Sequence, residues 1–412
     1  MKLRKRGRSL FLALLLALLQ PPQAGAFYES NDGEQSLEAR GFLDFSGGYS
    51  LNPNFPKLYP HASDQTYGAA ARLLADGKLR EWAGFEFNGV AYGYGSSAPF
   101  ATAADVERSP APEWMLGQDG YFTSRLAVDH LNLRLSSDNA DLIAGRQAIN
   151  MATCFYFTPN DFFAPFSAQT FFRVYKPGVD AARFEYKLGE LSQLTLVASE
   201  GYAPDSTTSN GWGTPDNSRA TYLARASATF ADFHWAALGG KSNGAGIVGG
   251  SLQGEVFGKI GIRGEGHYSS GVGNDYGRLA LGVERRFSNG LSARYEEFYN
   301  GAGAGASSQY VYSTWGNVQY HAMNYGAVGL DYQFSPLLTG DALVIGNYTD
   351  GSQLAAFYAV YSLSDNSELS AGLNVPFGPS GRIVAGLPPS VAIDSEYGLL
   401  PYSASVDLRI YF

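Results

Sequence analysis

Apolar and polar side chains take turns along nearly the whole chain beyond residue 26. Near the end, Tyr402, Ala404, Val406, Leu408, Ile410 and Phe412 share one parity, and Ser403, Ser405, Asp407, Arg409 and Tyr411 share the other. A period of two marks a strand with one apolar and one polar face. The same pattern predicts strands over 42–49, 67–74, 82–94, 126–135, 142–149, 181–188, 191–199, 222–230 and 233–240. It continues over 247–257, 260–268, 278–287, 291–299, 325–334, 338–348, 354–363, 369–377 and 402–412. Short turn signals join them in pairs, at 75–78, 136–141, 189–190, 231–232, 258–259, 288–290, 335–336 and 364–367. Eighteen strands in a ring with both ends on one side need eight turns there and nine connections opposite, so the count closes. Sixteen is the alternative, because the stretches after 300 and 378 read ambiguously.

Parity also says which face is which. Ala182, Phe184, Tyr186 and Leu188 oppose Arg183, Glu185 and Lys187; Ile260, Ile262 and Tyr268 oppose Arg263, Glu265 and His267. A charge on the lipid face at mid-bilayer costs about 2–4 kcal/mol, so the charged face is expected to line the lumen. No stretch after residue 26 is long and apolar enough for a spanning helix, so a membrane is crossed by strands that close on themselves or not at all. The expected fold is all-β: a transmembrane, antiparallel, up-and-down β-barrel. A soluble β-sandwich, the competing reading, rarely closes on an even strand count of this size.

The first 26 residues change the picture. Lys2, Arg4, Lys5, Arg6 and Arg8 precede an apolar run from Leu10 to Leu19, and Ala24, Gly25 and Ala26 supply small residues for cleavage. This is a secretory signal peptide; its apolar core is too short for a spanning helix. The expected division is a signal peptide over 1–26 and an outer-membrane barrel over 27–412. Removing 1–26 takes away five basic residues and no acidic ones, which moves the formal charge from −9 to −14. Such a chain is not built for nucleic acid, which needs a basic surface. Fifty glycines, 27 tyrosines and 26 phenylalanines with only 16% charged residues fit a wall between lipid and water. The single cysteine, Cys154, excludes an intramolecular disulfide framework and reads as a small buried hydrophobe.

Two features are candidates for tuning a pore. By parity, Arg72, Arg134, Arg183, Arg225, Arg263, Arg294 and Arg409 face inward, with Arg146 and Arg278 assigned beside them. Glu86, Glu185, Glu265, Glu284 and Asp407 share that wall. Charges in a pore select and orient solutes; the competing reading is that Arg–Glu ladders only hold the strands together. The second feature is the connection 150–180. It holds Phe155, Tyr156, Phe157, Phe162, Phe163, Phe166, Phe171 and Phe172. A solvated loop would not carry so many aromatics, and long loops of this composition are functional. It is expected to fold against the inner wall and narrow the channel, with a short helix starting at Thr158, Pro159, Asn160 and Asp161. A plug that stabilises the wall without choosing solutes is the alternative.

The run Gly145, Arg146, Gln147, then Pro159 and Asp161 between aromatics, then Ala164, Pro165, Phe166, then Gly178 to Arg183, resembles a pattern in a broad group of porin-like outer-membrane proteins. Some members are channels; others are barrels that sheathe multihaem cytochromes in electron conduits. A terminal strand ending in an aromatic is similar to the sorting signal of outer-membrane barrels. The resemblance implies a Gram-negative outer-membrane location, contact with lipid and lipopolysaccharide, and insertion by the barrel-assembly machinery. Two functions follow: passive diffusion of small solutes, or a sheath around multihaem cytochromes. No Cys-x-x-Cys-His is present, so no covalent haem is expected, and no other cofactor. His61, His130, His234, His267 and His321 are scattered, with no His-Glu-x-x-His, so an enzyme is not expected. Only a short stretch separates Phe27 from the first strand, so the plug domain of an energy-dependent transporter is not expected.

Overall fold

A computed structural model describes residues 27–99, 105–311, 320–384 and 390–412; the expected signal peptide lies outside the described residues. The wall consists of eighteen antiparallel strands. They are β1 Ser36–Leu51, β2 Ser63–Arg80, β3 Ala83–Ser96, β4 Phe122–Ser136, β5 Ala140–Gln147 and β6 Val179–Gly189. Next come β7 Ser192–Ser199, β8 Thr221–Phe230, β9 Phe233–Ser242, β10 Ala245–Val256, β11 Ile260–Ser270 and β12 Tyr276–Arg286. The series ends with β13 Ser292–Asn300, β14 Asn324–Ser335, β15 Leu338–Asn347, β16 Gln353–Ser364, β17 Ser367–Phe377 and β18 Tyr402–Tyr411. Each pairs with its sequence neighbour, and β18 pairs with β1 from Phe42↔Tyr411 to Leu51↔Tyr402, so the ring is closed. Every predicted strand is present. Among the described residues no α-helix occurs, only short 3-10 turns at Ser307–Gln309 and Tyr397–Leu399.

The turn expected at 75–78 is not there. β2 runs on to Arg80, and the chain reverses over Glu81 and Trp82. Gly77 lies opposite Phe85 in the ladder, and a Cβ there would stand 2.2 Å from the Phe85 ring. The glycine makes room for an aromatic across the strand pair rather than for a reversal.

Two further segments complete the wall. Tyr28–Asn31 pairs with Ala39 to Ser36 and covers the edge of β1 that β18 does not reach. Glu113–Gln118, from the connection between β3 and β4, pairs with β4 above the short β5. β4 itself carries a bulge: Asn88 pairs with His130 and Gly89 with Val128, which leaves Asp129 unopposed. The extra residue turns that carboxylate inward, where it binds Arg72 at 2.6 Å and Arg108 at 2.8 Å.

Alternate residues face outward and stay exposed, as Leu279, Leu281 and Val283 do on β12. Two aromatic belts frame this apolar surface. Tyr49, Tyr67, Tyr222, Tyr268, Tyr299 and Tyr348 stand at the loop end, and Trp82, Phe230, Phe257, Phe287, Phe334 and Tyr361 at the turn end. Such girdles mark the two interfaces of a membrane barrel. With lipid outside, the buried apolar core has to lie within the ring. One cluster joins Phe157, Phe298, Tyr325, Leu343, Ile345 and Leu399; a second joins Ile149, Met151, Phe163, Val197, Leu223 and Leu238.

Several hairpins turn on two residues with positive φ: Ala231 and Asp232, Asn243 and Gly244, Phe257 and Gly258. These left-handed pairs match the strand twist, but an L-residue such as Ala231 pays about 1–2 kcal/mol there. Replacing Ala231–Asp232 by Asn–Gly should therefore stabilise the barrel by roughly 1 kcal/mol, read as a higher urea midpoint for unfolding from detergent micelles.

Candidate pore interior and its loop

The 148–178 connection between β5 and β6 is held by two wall carboxylates. Glu265 on β11 accepts backbone N–H groups from Thr153, from Cys154 at 3.2 Å and from Asn160 at 3.2 Å. Glu296 on β13 accepts those of Phe155 at 2.6 Å, Tyr156 at 2.8 Å and Phe157 at 3.0 Å. Both acids are almost fully buried. A buried carboxylate is tolerable only with such donors, and bonds to a charged acceptor are the strong ones. Each acid thus serves as a clamp on irregular backbone.

Side chains complete the fixing. The Phe155 ring lies between two guanidinium groups, with the Arg263 and Arg294 carbons 4.0 and 4.5 Å from its centroid. Phe157 is fully buried and stacks on Phe298 at 5.0 Å. Asn160 donates to the Gly250 carbonyl at 2.9 Å, and Phe162 packs on His267. The expected helix at 158–161 is absent: Thr158 to Asp161 make a single turn, closed by an Asp161 N–H donating to Thr158 O at 3.0 Å. Asn160 is used up in gripping β10 and β11, and Asp161 pairs with Lys176.

The segment then crosses to the other side of the ring. Phe171 stacks on Tyr358 of β16, and Phe172 lies 3.8 Å from the Arg409 guanidinium of β18. Tyr175 stacks on Phe42 of β1 and on Arg72 of β2, and the Lys176 carbonyl is 2.9 Å from His130 Nε2 of β4. One connection therefore touches β10, β11, β13, β16, β18, β1, β2 and β4 in a lap of the inner wall. Phe163 is buried in the second cluster, and Phe166 is half-buried. Three other connections join this packing through Phe55, Tyr310, Ala322, Ile393, Tyr397 and Leu399.

The lumenal charges are largely paired. Arg134 binds Asp141 at 3.1 Å and Arg183 binds Glu185 at 3.4 Å. Arg263 binds Glu284 at 3.0 Å; Arg294 lies 3.6 Å from the same acid and also binds Asp331. Arg409 ties β18 to β17 through Glu368 at 2.6 Å and to β1 through Asp44 at 3.5 Å, across the closing seam. Arg225 makes no hydrogen bond or ion pair among the described residues. Arg146 is a correction. It shares parity with Leu142 and Ala144, not with Ile143, which pairs with Arg183. It is buried where β5 stops short, bound to Asp180 at 2.9 Å and to the carbonyls of Val128 and Ser109. It seals the wall rather than lining the bore. Glu265 faces inward but is covered by the loop.

Glu296 and the apolar inner face of β14–β16 escaped the sequence reading. A signal existed: 342–345 and 354–360 are apolar at nearly every position, so the alternation fails where the inner face is dry.

No family model matches this chain, and no curated protein matches it. Solved structures do. The OccD3 (OpdP) structure from Pseudomonas aeruginosa is 13% identical with a TM-score of 0.52, covering 96% of each chain. OccAB1 from Acinetobacter baumannii is 11% identical with a TM-score of 0.55, over 95% of this chain and 99% of that one. OccK2 (OpdF) from Pseudomonas aeruginosa, solved with glucuronate, is 9% identical with a TM-score of 0.54, over 91% and 98%. The chain has the fold of the outer-membrane porins. At these identities the likeness is one of fold.

Two predictions follow from the loop contacts. Glu296→Gln removes the charge that holds three amides, at a cost of about 2 kcal/mol, and should make single-channel current through the barrel noisier. The second concerns the 378–401 connection. Burial pushes the Glu396 carboxyl up to about 7. It accepts from Tyr325 Oη at 2.5 Å, Asn347 Nδ2 at 2.8 Å and the His321 N–H at 3.3 Å. Asp350, which accepts the Glu396 N–H at 2.8 Å, and the Tyr310 hydroxyl stand beside it. His321, also facing it, is held toward the neutral form by burial. A carboxyl raised in the folded state binds its proton more tightly there than in the unfolded chain. Its contribution is complete below the ordinary value of 4.5 and is lost as pH rises through about 7. Protease cleavage within 378–401 should accelerate over that range in the wild type and stay flat in Glu396→Gln.

Proposed function

We propose that this chain is an outer-membrane channel for passive diffusion of small hydrophilic solutes, and not an enzyme. In this reading residues 1–26 export it and are removed. The assembly machinery inserts it into a Gram-negative outer membrane, where it meets lipid and lipopolysaccharide. The observation that carries the proposal is a cavity of about 580 Å³ inside the bore against β1–β6, lined by Glu38, Asp76, Lys78, Glu86, Arg134 and Arg183 among others. A ring of this strand number leaves an aqueous interior, and this cavity is wide and polar enough for a hydrated solute. The 148–178 segment, with Phe155, Tyr156, Phe157, Asn160, Asp161, Phe162, Phe163 and Phe166, is the constriction.

The wall charges support a field across the bore. β6 and β15 stand nine strands apart in a ring of eighteen, and so do β8 and β17; they are opposite. Arg183 and Arg225 therefore lie on the wall opposite Asp341 and Glu368, and charges of opposite sign on opposite walls orient polar solutes. The glucuronate bound to OccK2 sets the size class we adopt here, a small polar molecule.

A sheath around a multihaem cytochrome is the second reading. It requires a bore free for a protein partner, and the contacts of 148–178 with β11 and β13 on one side and with β18, β1 and β2 on the other count against it. Planar-bilayer conductance decides between them. The channel reading expects discrete openings in the wild type and larger ones after deletion of 155–172; silence in both would overturn it in favour of the sheath.

A further inference from the structure

Burial of the inner face is uneven around the ring, and hydrogen-bonded rows allow comparison at one height. One row runs Leu343, Ala356, Asn374, Ser403 and Ser50 across β15, β16, β17, β18 and β1. Leu343 and Ala356 are fully buried beneath the connections; Asn374, Ser403 and Ser50 are half-exposed. The next row shows the same on its open side: Gly372 is half-exposed, Ser405 exposed, Gly48 half-exposed and Thr66 exposed. On the opposite side Val197, Leu223, Leu238 and Ile247 are buried under the second cluster. Loop packing fills the bore from β7 to β16; on β18, β1 and β2 it touches the wall at Phe172 and Tyr175 and leaves the inner face nearer the loop ends open. The open wall is built of glycine and serine, which leave space, and a second cavity of about 290 Å³ opens at the turn end between Tyr175 and Tyr411.

The charge of this sector is also unbalanced. Its two mid-height arginines present no open face. Arg409 lies under the Phe172 ring and pairs with Glu368 and Asp44, and Arg72 lies under Tyr175 and pairs with Asp129. The carboxylates remain accessible. The Asp44 side chain is 25% exposed, and Asp407 is half-exposed with no ion pair among the described residues. They are diagonal neighbours, since Asp44 pairs with Arg409 and Asp407 with Ser46. Tyr94, exposed on β3, lies across Gly68, where a Cβ would meet its ring at 2.2 Å. The row Tyr94, Gly68, Ser46, Asp407 therefore holds a phenol ring and a carboxylate with nothing bulky between them. An aromatic face beside carboxylates attracts organic cations.

We infer that solutes cross along the inner faces of β17, β18 and β1–β3, that Asp44 and Asp407 set the selectivity of this path, and that it favours small cations, amine-bearing solutes in particular. The inference rests on the channel reading and adds the path and the solute class.

Bilayer recordings test it, with the heat-dependent gel shift of folded barrels as the check on folding. In a potassium chloride gradient the wild-type reversal potential should lie toward that of potassium. Asp407→Asn should move it toward chloride, and Ser405→Lys, which breaks no ion pair, should move it further. In a Cys154→Ala background, a cationic thiol reagent should alter the current of Ser405→Cys and leave that of Ala356→Cys unchanged. An anion-selective wild type, a reversal potential indifferent to both charge changes, or equal modification at Ala356→Cys would overturn the path while leaving the channel intact. A folded wild type without conductance would overturn the channel reading itself.

Discussion

Hydrocarbon offers no hydrogen bonds, so every backbone group of this wall must find its partner within the ring. That requirement organises the rest. It forces β18 onto β1, and it fixes the strict alternation of faces, because a strand bonded on both sides can turn its side chains only to lipid or to the bore. The arginine that bridges the last seam, Arg409, binds an acid on each neighbouring strand and so reinforces the closing pair. Where the ladder leaves an edge, Tyr28–Asn31 covers it.

Inside the ring the problem reverses. Irregular connections carry unpaired amides into a space only partly wet, and the wall answers with carboxylates. Glu265 and Glu296 accept six backbone N–H groups between them, while Arg263 and Arg294 press on Phe155 from two sides. The lumenal charges thus divide into two uses. Some hold the connections and neighbouring strands; others, where the connections leave the wall uncovered, still face open space. Cation-π cover of Arg72 and Arg409 takes positive charge out of play without removing it from the wall.

Much of this was legible in the chain itself. Period-two alternation located the strands because the lipid-facing row of a membrane wall tolerates almost no charge at mid-depth. The glycine-containing run at 75–78 misled, since Gly77 answers a cross-strand contact with Phe85 that local sequence does not display. Arg146 was misassigned for a related reason: β5 ends beside it, and parity alone does not say where a wall has a gap. The aromatic density of 148–178 announced that this segment must bury itself, but not where. Its clamps lie more than a hundred residues away, and Glu296 reads locally like any other lumenal acid. The dry patch on β14–β16 left a trace in the failure of alternation, which becomes meaningful once the ring shows that one of those faces points inward.

The central claim is that backbone amides of a connection are bound to the inside of a closed wall. Amide hydrogen exchange of the wild-type barrel in lipid nanodiscs tests it most directly. The account predicts that the amides of Thr153, Cys154, Phe155, Tyr156, Phe157 and Asn160 exchange as slowly as those of β11 and β13. Exchange of those six at the rate of free, solvated loops would contradict it.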